Sequence, residues 1–264
     1  MINDAPTCWT TPGAGEWCPQ NYSGDFAGLM TLTDSLRTSR NIPAIILSET
    51  VGRDAVRAVA RGFGIDSELA DSPALALGAS EVTLIQLTGA YAGILNGGSA
   101  VAPYGLRSLT IRGDDTPVME QGGGIGERVI QEGAARQLTW MMHQVVETGT
   151  GARARIDGWQ IAAKTGTTQG ARDAWFIGFT GDYVVGVWMG YDDNRPLTGV
   201  TGGGLPADIW RETMTRITAG WQPTRLPMQI PTGGSGAGTL STPNIVADEE
   251  IQDVLQNILL GLED

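Results

Sequence analysis

Gln160-Ile161-Ala162-Ala163-Lys164-Thr165-Gly166-Thr167-Thr168 contains the only lysine of this 264-residue chain. Arginine supplies every other basic side chain. A compact ammonium on a thin stem fits where a forked guanidinium does not, and its pKa is easier to tune. The stretch begins as an apolar strand and ends in small, hydroxylated or glycine residues. Glycine lets another group approach the backbone, and the threonine hydroxyls offer donors to an anionic ligand. A solvent-facing lysine at a strand end explains the same nine residues, so the neighbouring sequence has to decide.

Downstream, Ala174 to Thr180 and Tyr183 to Tyr191 continue with a period of two and short turns. The three segments predict an antiparallel meander. Upstream the period is 3.6. A short helix over 32–37 halts at Thr38-Ser39-Arg40-Asn41, and Pro43 suits the first turn of a second helix that runs to Val51. An amphipathic helix covers 53–63. Ser80 is a plausible N-cap, with Glu81 in the first turn, for a helix carrying Leu84, Leu87, Tyr91 and Leu95. Gly105 to Arg112 and Pro117 to Glu120 predict a hairpin. A helix over 132–147 precedes the meander, and one over 206–217 follows it. Residues 1–30 show no period and are expected to be a loop-rich lead-in. Helices, then strands, then a helix make an α/β (α+β) domain, with an antiparallel sheet flanked by helices.

Three units follow from composition: a domain over 1–222, a Pro/Gly/Ser-rich linker over 223–244, and an acidic amphipathic helix over 245–264. In the last, Ile251, Val254, Leu255, Ile258, Leu259 and Leu262 form one apolar stripe. It is expected to dock on its own domain or on a partner.

A formal charge of -12, from 17 basic and 29 acidic residues, argues against a nucleic-acid or anionic-membrane surface. No apolar run is long enough to span a bilayer. Met1 to Pro6 has neither the basic region nor the apolar block of a signal peptide. Cys8 and Cys18 are either two free thiols or a disulfide closing a short loop, depending on the compartment. One histidine and two cysteines make no metal site, so no metal and no cofactor are expected. Gly158 to Thr165 lacks the second glycine of a phosphate loop, and the 199–204 loop lacks the GxGxxG order. His143 lies among Met141, Met142 and Val145, where packing explains it and a Ser-His-Asp triad is disfavoured. Sheet packing is also sufficient for Trp175 and Trp188.

Ser39-Arg40-Asn41 alone reads as a helix cap and a turn, and Lys164-Thr165-Gly166 alone is as weak. Together and in this order they correspond to two of the three motifs of penicillin-recognising enzymes. The chain resembles the C-terminal part of the transpeptidase domain of class A (bifunctional) penicillin-binding proteins over about residues 2–215. Asn3-Asp4-Ala5-Pro6, Ser39 to Ala44, Ala76 to Thr83, Asn96-Gly97-Gly98, Lys164 to Thr168, Asp173 to Thr180, Val187 to Asp192 and Ile209-Trp210 carry that resemblance.

The resemblance implies the penicillin-binding protein/serine β-lactamase-like fold. It also implies acyl transfer on D-alanyl-D-alanine stem peptides of peptidoglycan, with β-lactams as inhibitors that mimic the substrate. By this resemblance Ser39 relays a proton, Asn41 holds the substrate's peptide amide, and Lys164 supplies positive potential for the terminal carboxylate. Thr165 and Thr167 hydrogen-bond that carboxylate, and Gly166 and Thr168 complete the substrate edge. The Thr167 N–H is an oxyanion donor. The family works on the periplasmic side of the cytoplasmic membrane, which favours a Cys8–Cys18 disulfide.

The third motif, Ser-x-x-Lys, supplies the nucleophile and its base, and it is absent: Ile161, not serine, stands three residues before the only lysine. In the family this motif, the glycosyltransferase domain and the membrane anchor all precede the region matched here. The chain is therefore expected to be a truncated form that forms no acyl-enzyme and leaves core apolar surface uncovered. The alternative is a non-catalytic binding module that keeps the fold. A β-lactamase is disfavoured by the Asp173–Tyr191 meander and the C-terminal extension.

Overall fold

A computed structural model describes residues 1–11, 15–121 and 124–231. The N-terminal residues are more ordered than their lack of period suggests. β1 (Ile2–Asp4), β2 (Trp9–Thr11), β3 (Gly15–Trp17) and β4 (Gly28–Met30) form two small antiparallel pairs, β1 with β4 and β2 with β3. Each strand has three residues, too few to display a period of two. Ile2 is fully buried and packs with Ile42 and Ile46, joined by Trp9, Phe26 and Met30. Cys8 and Cys18 form a disulfide that closes the β2–β3 hairpin.

α1 (Leu32–Thr38) starts at the Thr31 cap, whose hydroxyl accepts from the Asp34 N–H. It stops because Ser39 takes left-handed angles, φ 56° and ψ 49°. α2 (Asn41–Val51) begins two residues later, with Pro43 in its first turn, where a missing N–H costs nothing. α3 (Arg53–Gly62) follows across Gly52. α4 (Leu84–Leu95) is capped by Thr83, not Ser80. Thr83 and Gln86 form a reciprocal capping box, while the Ser80 hydroxyl accepts from the Ala70 N–H.

β5 (Ser99–Val101) pairs antiparallel with a later strand that the sequence-based expectation lacks. The expected hairpin is reduced to β6 (Ser108–Leu109) and β7 (Met119–Glu120), and β8 (Ile125–Arg128) closes this exposed region. β8 has all four residues exposed, so no buried face marked it in the sequence. α5 (Glu132–Thr148) then leads to the meander.

β9 (Ala162–Thr167), β10 (Asp173–Phe179) and β11 (Val184–Gly190) form one antiparallel sheet in the order β11-β10-β9. α6 (Leu205–Ile217) lies on one face, where Ala163, Phe176, Trp210 and Met214 are fully buried. The Trp210 indole N–H donates to the carbonyls of Gly178 and Val185, so its one polar atom is satisfied inside the core. α4 and α5 lie on the opposite face, against Ala162, Phe179 and Val184. α4 comes so close to β11 that a Cβ on Gly186 would lie 2.3 Å from Thr88 Oγ1. The result is a helix–sheet–helix sandwich, as the alternation of patterns predicts.

Residues 223–231, in the stretch expected to be a linker, lie extended against this sandwich. Leu226 is buried, its N–H donates to Gln160 Oε1, and the Gln229 N–H donates to the Arg136 carbonyl. The remainder of that stretch and the expected helix over 245–264 lie outside the described residues. Among the described residues no helix is long and apolar enough to cross a membrane.

Candidate active site

β9 is the outer strand of the sheet, and among the described residues no strand pairs with its free edge. Side chains alternate across it. Lys164 and Gly166 point to the face bearing Trp175 and Ile177, and Thr165 and Thr167 to the face bearing α6. Backbone groups alternate as well. The Thr168 N–H donates to the Asp173 carbonyl across the sheet, so Thr165 and Thr167 turn theirs to the open edge. A peptide laid along that edge meets backbone donors and acceptors at every second residue.

The turn between α1 and α2 faces this edge. Lys164 Nζ donates to Ser39 Oγ at 2.6 Å and to the Thr165 carbonyl at 2.7 Å. The contact joins residues 125 positions apart, so the fold brings the two motifs together. Burial pushes the Lys164 ammonium down to about 8. It stays protonated at neutral pH, with one N–H uncommitted. Ser39 holds left-handed backbone angles while its hydroxyl meets the lysine, and a non-glycine residue kept there is a strained position of the kind that collects at functional sites.

Asn41 opens α2. One N–H of its carboxamide donates to the Gln20 carbonyl at 2.7 Å. The second N–H and the amide oxygen remain for a ligand. The α2 N-terminus has no side-chain cap of its own, and the Asn41 backbone N–H donates instead to Asn21 Oδ1 at 2.8 Å.

The threonines are placed less simply than their motif suggests. The Thr165 side chain is buried, and its hydroxyl lies 2.7 Å from that of Thr150, an exposed residue just beyond α5. The Thr167 hydroxyl accepts from the Gly202 N–H at 3.0 Å, which leaves its own proton to donate. Thr168 is exposed at the strand end and receives the Asp173 N–H. Neither Thr150 nor Gly202 carried a signal in the sequence: one is a threonine in a turn, the other one glycine among several.

The edge and the turn line a groove of about 2700 Å³. Much of the rest of its lining is apolar, with Leu47, Val59, Leu87, Ile94, Leu138 and Met141 among the residues. Small-molecule sites are about 300–1,000 Å³, so the groove is large enough for both a ligand and a protein segment. Trp175 and Trp188 stand beside the lysine edge with ring centroids 6.2 Å apart, and the Trp188 N–H donates to Asp173 Oδ1. Trp188 is partly exposed, so packing within the sheet does not account for all of its surface. His143 lies behind the site, its Nδ1 2.7 Å from the Ile161 carbonyl, and takes no part in it.

Residues 2–215 match the family described as penicillin binding protein transpeptidase domain. Penicillin-binding protein 1A of Rickettsia prowazekii is 34% identical over 219 residues, covering 75% of this chain and 28% of that protein. Penicillin-binding protein 1B of Escherichia coli is 35% identical over 208 residues, covering 76% of this chain and 24% of that protein. The crystal structure of penicillin-binding protein 1A from Haemophilus influenzae superposes with a TM-score of 0.73 at 27% identity, over 85% of this chain and 40% of that one. The chain thus spans about a quarter of the length of these curated relatives. With Ser39, Asn41 and Lys164 gathered at the open edge of its sheet, it belongs to the family of penicillin-binding protein transpeptidase domains.

Proposed function

We propose that this chain forms the substrate-holding wall of a serine-type peptidoglycan D,D-transpeptidase, as part of a bifunctional glycosyltransferase/transpeptidase on the periplasmic side of the cytoplasmic membrane. One observation carries the reading: the 2.6 Å contact between Lys164 Nζ and Ser39 Oγ, made at an open strand edge. A stem peptide ending in D-alanyl-D-alanine lies along β9. Its terminal carboxylate sits in the field of Lys164 and receives the free Thr167 hydroxyl proton. Asn41 holds the preceding peptide group through its remaining N–H and its oxygen. The Thr167 N–H, turned to the edge, faces the oxygen of the penultimate carbonyl as negative charge builds there. Ser39, hydrogen-bonded to the ammonium, passes a proton toward the departing D-alanine amine.

The nucleophile and its base belong to a Ser-x-x-Lys segment that the chain does not contain. In this proposal that segment packs on the apolar lining of the groove and brings its serine to Ser39 and Lys164. The chain alone therefore binds donor peptide without being acylated. Fluorescent penicillin is the test: on a denaturing gel the isolated chain should give no covalent band. A band would sink the proposed division of labour. Lys164 can be labelled biosynthetically with ε-¹³C lysine as a single side-chain reporter, because the chain has no other lysine. An acetylated tripeptide ending in D-alanyl-D-alanine should shift its resonance, and the same peptide with an amidated C-terminus should not. Equal responses would remove the carboxylate from the reading.

A further inference from the structure

Asp4, Asn21 and Arg40 form a network under the Ser39–Asn41 turn, and no role in the reaction as read above falls to them. Asp4 is fully buried, and Asn21 is 4% exposed. The Asn21 carboxamide nitrogen reaches both Asp4 carboxylate oxygens, at 2.9 and 3.0 Å, and the Asp25 carbonyl at 2.8 Å. Asp4 also accepts the Ala27 N–H at 3.0 Å, and the Arg40 guanidinium lies 3.6 Å away. Arg40 binds Asp25 Oδ1 at 2.7 Å and holds that carboxyl down at about 2. Asn21 is therefore held from three sides, and its one acceptor atom is spent on the Asn41 N–H. Its neighbour Gln20 gives its carbonyl to the Asn41 side chain.

We propose that Asn21 is the positioning residue of the site: it fixes the Asn41 carboxamide by capping α2 and by holding the Gln20 carbonyl in place. Both polar groups of Asn41 that do not face the groove, its backbone N–H and one side-chain N–H, end on Gln20 and Asn21. With those two bonds made, the Asn41 side chain has one orientation, and its free N–H and oxygen point at the groove before any ligand arrives. Without them the carboxamide rotates, and binding a peptide has to include the cost of ordering it. The buried Asp4 carboxylate anchors the device. An unpaired buried charge is costly, so Asp4 holds Asn21 as firmly as Asn21 satisfies Asp4.

The choice of ligand in the test rests on the proposed function, but a first measurement needs no ligand. In ¹⁵N-labelled protein the Asn41 side-chain amide protons should exchange with water more slowly than those of the exposed Asn194. Asn21→Asp puts a carboxylate against Asp4 and removes the donors to Asp4 and to the Asp25 carbonyl. It should bring Asn41 exchange to the Asn194 rate, and the exchanged pair Asp4→Asn/Asn21→Asp should restore protection. Asn21→Ser, neutral and smaller, is the second variant should the first fail to fold, and it should also lose protection. Free exchange of Asn41 in the parent, or slow exchange in a folded variant changed at Asn21 alone, would overturn the proposal.

The second measurement follows binding of the acetylated D-alanyl-D-alanine tripeptide by the ε-¹³C signal of Lys164. Asn41→Ala should weaken binding about tenfold in the parent, the worth of one or two hydrogen bonds. In the Asn21→Asp background the same change should cost less than about twofold, because Asn41 is already misplaced. A purely structural Asn21 would leave the two effects additive, and that outcome sinks the positioning role. A parent that binds no peptide refutes the proposed function instead, and the exchange measurement then decides the role of Asn21 alone.

Discussion

Thr150 Oγ1 lies 2.7 Å from Thr165 Oγ1, so the first threonine of the lysine stretch spends hydrogen-bonding capacity on a residue beyond α5. Two hydroxyls sharing one bond keep one proton to give away, and the exposed member is Thr150. Thr150→Val leaves the buried Thr165 hydroxyl without this partner and should cost about 1–2 kcal/mol in urea unfolding. Thr150→Ser should be near neutral. The double replacement Thr150→Val/Thr165→Val should cost less than the sum of the single changes, because removing both partners orphans neither. Simple additivity would mean the two hydroxyls do not depend on each other.

Lys164 makes the stability of the chain depend on pH in a direction opposite to that of a salt-bridged lysine. Its pKa is about 8 in the folded chain, against the ordinary 10.5. Between those values the unfolded chain binds the proton and the folded chain does not, so stability rises with pH across that window. Below pH 8 both states are protonated, and the cost of burying the charge is present in full. The ε-¹³C resonance of Lys164 should titrate near 8, and Lys164→Met should abolish the rise in stability between pH 8 and 10.5. A midpoint near 10.5 would show that the ammonium is solvated.

The sheet and the two motifs were legible in the sequence because each is a local pattern. β9 to β11 alternate over six or seven residues, and Ser39-Arg40-Asn41 breaks a helical period between two helices. What supports the motifs was not legible. Asp4, Asn21 and Gln20 sit in strands and turns too short for any period, and their contacts with Arg40 and Asn41 span 20 to 36 residues of chain. Ser80 looked like a cap because serine, acid and an apolar run followed in order. The reciprocal bonds of Thr83 and Gln86 begin the helix three residues later. The resemblance assigns Thr165 to the terminal carboxylate along with Thr167, but of the two it is the Thr165 side chain that is buried, with its hydroxyl on that of Thr150.

The disulfide should stabilise the N-terminal unit more than its exposed position suggests. Cys8 and Cys18 are ten residues apart, and closing a loop of that size removes about 2–3 kcal/mol of unfolded-chain freedom. Trp9, next to Cys8, packs on the Ile2–Ile42–Ile46 cluster under α2. Cys8→Ser/Cys18→Ser should therefore lower the unfolding free energy by about that amount. It should also speed exchange of the Asn41 side-chain amide, because Gln20 lies two residues beyond Cys18. Reduction of the parent should reproduce both effects. An unchanged urea midpoint after reduction would show that the hairpin does not depend on its cross-link.

Gly202 bears directly on the lysine edge, and its lack of a side chain is a condition of the site's geometry. A Cβ there would lie 2.3 Å from the Trp175 carbonyl oxygen and 2.4 Å from that of Gly166, both rigid backbone atoms in the sheet. No rotamer change relieves such a contact, so the 199–204 loop or β9 itself must move. Moving the loop breaks the Gly202 N–H bond to the Thr167 hydroxyl, and moving β9 shifts Lys164 relative to Ser39. Gly202→Ala should thus cost about 1–3 kcal/mol of stability, the usual range for overpacking. It should also weaken binding of the acetylated D-alanyl-D-alanine tripeptide by at least about tenfold, since a displacement of about 1 Å is enough to spoil a positioned site. Gly133→Ala is the control. It lies in the first turn of α5 with open space around its missing Cβ, and alanine there should stabilise the helix by up to about 1 kcal/mol. If Gly202→Ala is tolerated as well as Gly133→Ala, then the loop floats over the sheet instead of holding it, and Thr167 is set by β9 alone.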